Sequence, residues 1–192
     1  MATRYKALNE RLIDFIDGQK IFFVASAAAT GHVNLSPKGM DVFRVLGPNR
    51  VCYLDLTGSG NETAAHSLAD GRLTVMFCAF EGPPLILRLY GRSTVLARGT
   101  AAYDELLANR YSGHELLGSR QIVVLDFDLV QTSCGYGVPL FDYAGDRDTL
   151  TRWAEAKERK EGLVEYRRQK NTVSIDGFPT GLVEKDADPA EA

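Results

Sequence analysis

The sequence has few cysteines and no long apolar run. Its three cysteines, Cys52, Cys78 and Cys134, are an odd number without C-x-x-C spacing, so neither a disulfide framework nor a cysteine zinc site is indicated. No segment approaches the ~20 apolar residues needed to cross a bilayer. The segment Met1–Gln19 carries too many charges for the core of a signal peptide. We therefore expect a cytoplasmic protein that does not enter the membrane.

Basic charge and nucleotide-binding glycine motifs are also lacking. The net charge of −3 provides no general positive field, so nucleic acid is not an expected partner. The three histidines, His32, His66 and His114, stand too far apart to indicate a metal site. The segment Gly58-Ser59-Gly60-Asn61 lacks the third glycine of a dinucleotide fingerprint, and no P-loop motif is present.

Apolar periodicity predicts about seven strands in hairpin order and few helices. An N-terminal amphipathic helix is predicted because Leu8, Leu12 and Ile16 recur at helical spacing before Gly18. Pro37 interrupts a strand, which indicates a sheet edge or a bulge. A charged helical stretch is predicted from Asp146 to about Lys170. This pattern favours an antiparallel barrel or sandwich over alternating βαβ units.

Two polar clusters each lie at the end of a predicted strand, and they flank a predicted strand pair. Ser36 and Lys38 end the second strand, whereas Ser59, Asn61 and Thr63 lie where the fourth leads into a short helix. A glycine-rich bend and a helix N-terminus form a ready anion site, so the pattern predicts a site for a phosphate-bearing cofactor. The alternatives stay open: Lys38 as a surface lysine, and the second cluster as helix caps.

These clusters carry a family resemblance. The segment Val33-Asn34-Leu35-Ser36-Pro37-Lys38-Gly39, followed by Tyr53-Leu54-Asp55-Leu56-Thr57-Gly58-Ser59-Gly60-Asn61-Glu62-Thr63-Ala64-Ala65-His66, resembles the pyridoxamine 5′-phosphate oxidase-like flavoproteins. The similarity runs from about Ile21 to Val138. It implies a mainly β fold, a six- to seven-stranded antiparallel split β-barrel with peripheral helices that binds FMN at a homodimer interface.

The resemblance also implies a domain division and a set of cofactor-binding residues. Residues 1–145 would form the flavin-binding barrel, and residues 146–192 a C-terminal helix and tail packed on the barrel or on the partner subunit. The last eight or so residues are acidic, and we expect them to be disordered. The implied cofactor-binding residues are Ser36, Lys38, Asp55, Thr57, Ser59, Asn61, Thr63, Arg88 and Tyr136.

Two departures from the family pattern affect the expected ligands. Where the oxidase has two adjacent basic residues, this chain has Glu62 and Thr63, so Arg88 and Arg92, from the same subunit or the other one, are candidates to supply the missing cations. Tyr136 is expected either to stack on the flavin or to fill the core. The oxidase's basic, tryptophan-containing segment is replaced by an acidic one around Asp126 and Asp128, which argues against pyridoxamine phosphate as the substrate.

The expected activity is hydride transfer through the flavin N5, on a small substrate lying between the ring and the partner subunit. No conventional acid–base pair is evident, so no catalytic residue is assigned, and no metal is expected. Two alternatives remain: a deazaflavin-dependent reductase using the same groove, and a non-enzymatic protein that binds flavin or haem.

Overall fold

The computed structural model describes residues 2–160 and 162–182. Its strands are β1 (Thr3–Tyr5), β2 (Phe22–Ser26), β3 (Asn34–Lys38), β4 (Phe43–Gly47), β5 (Arg50–Leu56), β6 (Arg72–Cys78), β7 (Ile86–Ala97) and β8 (Ser119–Ser133). Its helices are α1 (Glu10–Asp17), α2 (Glu62–Ala69), α3 (Ala101–Arg110), α4 (Thr149–Lys160) and α5 (Leu163–Lys170).

The strands form one antiparallel sheet in the order β3-β2-β6-β7-β8-β5-β4, with β1 paired to β8. The sheet is open and curled, and the helices lie around it, so the predicted split-barrel architecture is confirmed. All seven predicted strands are present. The eighth, β1, was not predicted because three residues are too few for an alternating pattern to stand out.

An edge strand accommodates the proline of the first cluster. β3 pairs only with β2, so Pro37 lies at one end of the strand order, as its missing N–H requires. The alternation along β3 leaves Asn34, Ser36 and Lys38 half-buried on one face and Leu35 and Pro37 exposed on the other. The strand therefore presents the polar cluster toward the interior of the curl.

The two longest strands meet at a bulge. Tyr90 pairs with Leu129 and Gly91 with Phe127, so Asp128 has no partner in the register. A Cβ at Gly91 would overlap the backbone of Asp126 and Phe127, so only glycine allows this approach. The bulge adds to the curl of the sheet at its centre.

Apolar side chains from α1 and the concave face form one core. Asn9 caps α1 by accepting a hydrogen bond from the Leu12 N–H (3.1 Å), and Leu12 and Ile16 are buried beneath it. Burying each of these two side chains stabilises the fold by about 1.5–3 kcal/mol relative to leaving it exposed to water. The largest buried core side chains include Tyr53, Phe77, Leu87, Leu89, Ile122 and Leu125. Cys52 and Cys78 are buried and Cys134 is half-buried, and all three are free thiols.

The predicted C-terminal helical stretch is two helices rather than one. Gly162 has φ 76°, a left-handed conformation that a continuing helix does not adopt, and α5 starts after it. Trp153 and Tyr166 pack edge to face across the two helices, with ring centroids 5.0 Å apart. The acidic tail after residue 182 lies outside the described residues. Within the described ranges, no helix is both long enough and apolar enough to span a bilayer.

Candidate functional site

The curl of the sheet brings the two predicted clusters together. β3 and β5 lie near opposite ends of the strand order, yet Lys38 Nζ donates to Asp55 Oδ1 at 2.8 Å. Asn34 Nδ2 donates to Thr63 Oγ1 at 3.2 Å, which joins β3 to α2 as well. In each contact, a member of one cluster bonds to a residue that precedes the other cluster in its segment: Lys38 to Asp55, and Thr63 to Asn34.

Asp55 is the centre of a buried polar network. Its Oδ2 accepts hydrogen bonds from Arg120 Nε at 2.9 Å and from Gln121 Nε2 at 2.8 Å. Its side chain is only 2% exposed. Burial alone would raise the pKa of Asp55, but the Arg120 guanidinium and the Lys38 ammonium outweigh it and hold that pKa well below its ordinary value. Asp55 is therefore ionised at neutral pH.

Asn61 continues this network toward the C-terminal part of the chain. Gln121 Nε2 donates to Asn61 Oδ1 at 2.7 Å, so one amide group serves both Asp55 and Asn61. Arg120 Nη1 donates to Asn171 Oδ1 at 2.8 Å, and Asn171 Nδ2 donates to the Gly58 carbonyl at 3.0 Å. The loop 57–61 is therefore held between β8 and the end of α5.

Thr57 anchors the other end of this loop. Its hydroxyl donates to the Gly118 carbonyl at 2.7 Å and accepts a hydrogen bond from Arg167 Nη1 at 3.2 Å. Both side chains are buried. Because an unsatisfied buried group costs about 1–3 kcal/mol, these bonds fix the path of the chain between β5 and α2.

The N-terminus of α2 is left without a side-chain cap at its capping position. Asn61 occupies that position but makes no capping bond, because its oxygen accepts from Gln121 instead. The capping interpretation of Asn61 is therefore wrong. Ser59 is exposed just before the helix. The Glu62 carboxylate accepts a hydrogen bond from the backbone N–H of Ile175 at 3.2 Å, so the segment after α5 also reaches this end of the helix.

A second chain of polar contacts runs behind Thr63. Asn34 Nδ2 also donates to Ser26 Oγ at 3.2 Å, and Ser26 Oγ lies 3.0 Å from His66 Nδ1. His66 is buried. In the described part of the chain, His66 Nε2 and the hydroxyl of Tyr53 are buried without a hydrogen-bond partner.

Three residues proposed for the cofactor lie elsewhere. Arg88 donates to Ser133 Oγ at 3.2 Å, and Arg92 donates to the backbone and carboxylate of Asp70. Tyr136 is 82% exposed, so the expectation that it might fill the core is wrong. The structure brings together Lys38, Asp55, Thr57, Asn61 and Thr63, with Ser36 on the same face of β3.

Sequence reasoning missed four residues of the network. Arg120 and Gln121 open the longest strand, where polar residues suggest a solvent-facing end, and Arg167 lies in a helix with many charges. Asn171 carried a weak signal, because it begins the conspicuous segment Asn171-Thr172-Val173-Ser174-Ile175-Asp176-Gly177. Their roles depend on contacts 48 or more residues apart in sequence, which local periodicity does not encode.

Comparison with solved structures agrees with the fold. A Lactobacillus delbrueckii protein described as a candidate pyridoxamine 5′-phosphate oxidase is similar with a TM-score of 0.52 and 16% identity, over 66% of this chain and 94% of that chain. A variant of HupZ from Group A Streptococcus gives a TM-score of 0.51 and 17% identity, over 65% of this chain and 98% of that chain. At this identity the likeness shows the fold alone.

Comparison with sequences reaches further. The pyridoxamine 5′-phosphate oxidase family protein ustO from Aspergillus flavus is 40% identical over 194 aligned positions, covering 93% of this chain and 78% of the fungal protein. A family model described as pyridoxamine 5′-phosphate oxidase matches residues 8–134, a span that contains β2 to β8. With both matches and the split-barrel fold, the chain belongs to the pyridoxamine 5′-phosphate oxidase family.

Proposed function

We propose that this chain is an FMN-dependent oxidoreductase that works as a homodimer. The observation that carries the proposal is the meeting of the two strand-end clusters around Lys38, Asp55, Asn61 and Thr63. Of these, Lys38, Asn61 and Thr63 are positions that the resemblance assigned to the FMN phosphate, and they belong to two segments more than 20 residues apart in sequence. Their convergence is what a single bound anion requires.

The donors at this site fit a phosphate group. The N-terminus of α2 has no side-chain cap from Asn61, and an uncapped helix N-terminus favours an anion. Ser59 is exposed beside it, and Ser36 and Lys38 lie half-buried on β3. The Glu62 carboxylate is occupied by the N–H of Ile175, which reduces its repulsion of an incoming phosphate.

The protein's part is to position the cofactor and to control the charge near it. A bound flavin supplies the hydride-accepting centre, so the chain needs no acid–base pair of its own. Asp55 fixes the Lys38 ammonium at the end of β3, where it can donate to a ligand with its remaining N–H groups. Arg120 and Gln121 keep Asp55 ionised and oriented from the buried side.

The outer face of β3 supports a homodimer. Val33 and Leu35 are 73% and 65% exposed, next to the exposed Pro37 on an edge strand. Such an apolar edge favours burial against another surface, and a second copy of this chain supplies a self-complementary one. A Leu35→Lys variant should raise the monomer fraction, measured by light scattering on a sizing column. A wild-type chain that is monomeric at high concentration would contradict this part of the proposal.

The decisive experiment is the absorbance spectrum of the protein as isolated, with mass spectrometry of any released molecule. We expect flavin absorbance and FMN, and stripped protein should bind added FMN again. Lys38→Ala should lower the affinity for FMN by about tenfold or more, because a hydrogen bond to a charged group is worth about 1.5–3 kcal/mol. The matched control is Lys6→Ala, an exposed lysine outside the site.

Other outcomes of these titrations are equally informative. Tighter binding of a deazaflavin than of FMN would make the chain a candidate deazaflavin-dependent reductase. Release of haem from the isolated protein would make it a haem-binding protein instead of a flavoprotein. A bound flavin that no common reductant or oxidant turns over would make the chain a flavin-binding protein without catalysis. Equal FMN affinity in the two lysine variants would remove Lys38 from the phosphate site.

A further inference from the structure

A large cavity opens at the far end of β3, beside the site described above. Its volume is about 830 Å³, within the roughly 300–1,000 Å³ range of small-molecule sites. One wall is formed by Pro37 and Lys38, and the opposite wall by residues 141–153, which include the start of α4. Lys38 therefore belongs both to the cavity wall and to the network around Asp55.

Two hydrogen bonds build the outer wall of this cavity. The N–H of Phe141 donates to the Phe80 carbonyl at 2.9 Å, and the N–H of Tyr143 donates to Glu81 Oε1 at 3.2 Å. The rings of Phe80 and Phe141 pack with centroids 5.6 Å apart. Residues 141–143 are thereby attached to the turn between β6 and β7, which gives the wall a defined position.

The lining is mainly apolar and rich in aromatic rings. Its apolar members include Ile21, Met40, Phe141, Tyr143, Leu150 and Trp153. Phe141 and Tyr143 are 61% and 46% exposed, so the wall carries aromatic surface that a ligand would remove from water. Burying such surface is the main driving force for binding an apolar molecule, and ring faces add a preference for planar partners.

The charges around the cavity do not favour a phosphate. Three basic side chains, Lys20, Lys38 and Arg147, are matched by three acidic ones, Glu81, Asp142 and Asp146. A doubly charged group would be desolvated here without surplus cations to balance it, whereas a neutral molecule would avoid that cost.

We propose that this cavity is the substrate site of the oxidoreductase, and that its substrate is an uncharged molecule with an aromatic or similarly apolar body. The inference rests on the proposed function, since Lys38 connects the cavity to the expected cofactor site. It adds the chemical class of the substrate. It also gives residues 141–153, which lie beyond the family match at residues 8–134, the task of enclosing that substrate.

The sole tryptophan of the chain makes this testable, because Trp153 lines the cavity and its fluorescence reports binding there. The probes are 1-naphthol and 1-naphthyl phosphate, which share one ring system and differ in charge. We expect 1-naphthol to quench Trp153 saturably and to bind about tenfold or more tightly than its phosphate, because a charge buried without a partner is costly. Equal or tighter binding of the phosphate would overturn the substrate class.

Blocking variants test the location. Ala144→Phe and Thr149→Phe place a ring at the cavity wall on exposed backbone, so folding should be retained. Each variant should lower the affinity for 1-naphthol by about tenfold. Leu117→Phe, at an exposed position outside the lining, should bind like wild type. If the blocking and control variants bind equally well, the cavity is not the site.

FMN titration of the same proteins separates the two proposals. We expect the blocking variants to keep wild-type FMN affinity while their affinity for 1-naphthol falls. If wild type binds 1-naphthol but no flavin, the proposed function fails and the cavity is a binding site without that role. If FMN displaces 1-naphthol and the blocking variants lose FMN, the cavity holds the cofactor itself, which overturns its assignment to the substrate.

Discussion

Replacing Asp55 by asparagine should destabilise the fold far more than its small change in shape suggests. Asp55 accepts hydrogen bonds from Lys38, Arg120 and Gln121 at 2.8–2.9 Å. Its own side chain is 2% exposed, and that of Arg120 is 5% exposed. Asp55→Asn leaves the buried guanidinium without its counter-charge. Breaking such a pair costs about 3–5 kcal/mol in the free energy of unfolding.

Urea unfolding at neutral pH measures this loss. With an m-value of about 2 kcal/mol per molar urea, the midpoint should fall by about 1.5–2.5 M. The control is Asp126→Asn, which removes the same charge from a surface pair, since Asp126 Oδ1 lies 3.3 Å from Arg50 Nε and both side chains are more than half exposed. Its cost should be about 1 kcal/mol or less. Similar midpoints for the two variants would refute the account of Asp55 as the centre of the network.

The pH dependence gives a second check on the same variant. The pKa of Asp55 is lower in the folded chain than its value of about 3.9 in an unfolded one. Its contribution is therefore fully present above about pH 4 and is lost as the pH falls toward the folded pKa. The difference between wild type and Asp55→Asn should be constant at neutral pH and should shrink in strong acid. A difference that instead grows below pH 4 would contradict the sign of the shift.

Two further predictions concern the sheet and the segment after α5. Gly91→Ala should destabilise by at least about 1–3 kcal/mol, because its Cβ would overlap the backbone opposite, whereas Gly137→Ala has open space and should be neutral in the same thermal unfolding assay. The hydrogen bond to Asp176 and the charge of that carboxylate raise the pKa of His32, so the ion pair is complete below the ordinary histidine pKa of about 6.5, as long as Asp176 stays ionised, and is lost as pH rises through the raised pKa. NMR titration should find the His32 pKa above its ordinary value in wild type and near that value in Asp176→Asn; equal values would exclude the tie.

Local pattern explains why so much of the fold was predictable. The helix around Leu12 and Ile16, the seven strands and the edge position of Pro37 each follow from residues close in sequence. In these segments the side chains that set the periodicity are the same ones that form the core. β1 was missed because its three residues are too few to show a pattern and their partners in β8 lie more than 120 residues away in sequence.

The sequence predicted only those residues of the candidate site that stand in local strand-end segments. Lys38, Asp55 and Asn61 stand in recognisable strand-end segments, but Arg120 and Asn171 gained their roles only when the sheet curled and α5 packed beside it. A lone arginine in a strand ordinarily faces solvent, and nothing local marks one that neutralises a buried carboxylate. The contribution of Arg88 stays a prediction, because within this chain the arginine donates to Ser133 Oγ, and the notion of a second subunit supplying it depends on an assembly that local sequence does not encode.

The hydrogen bond from Asn171 Nδ2 to the Gly58 carbonyl bears on the order in which the chain folds during synthesis. A nascent chain that has emerged only as far as residue 134, where the family match ends, already contains all eight described strands. It still lacks the amide that clamps the turn before α2. We expect that turn to mature last, after the barrel has closed, so the synthesis of residues 135–171 determines when the proposed cofactor can first be retained.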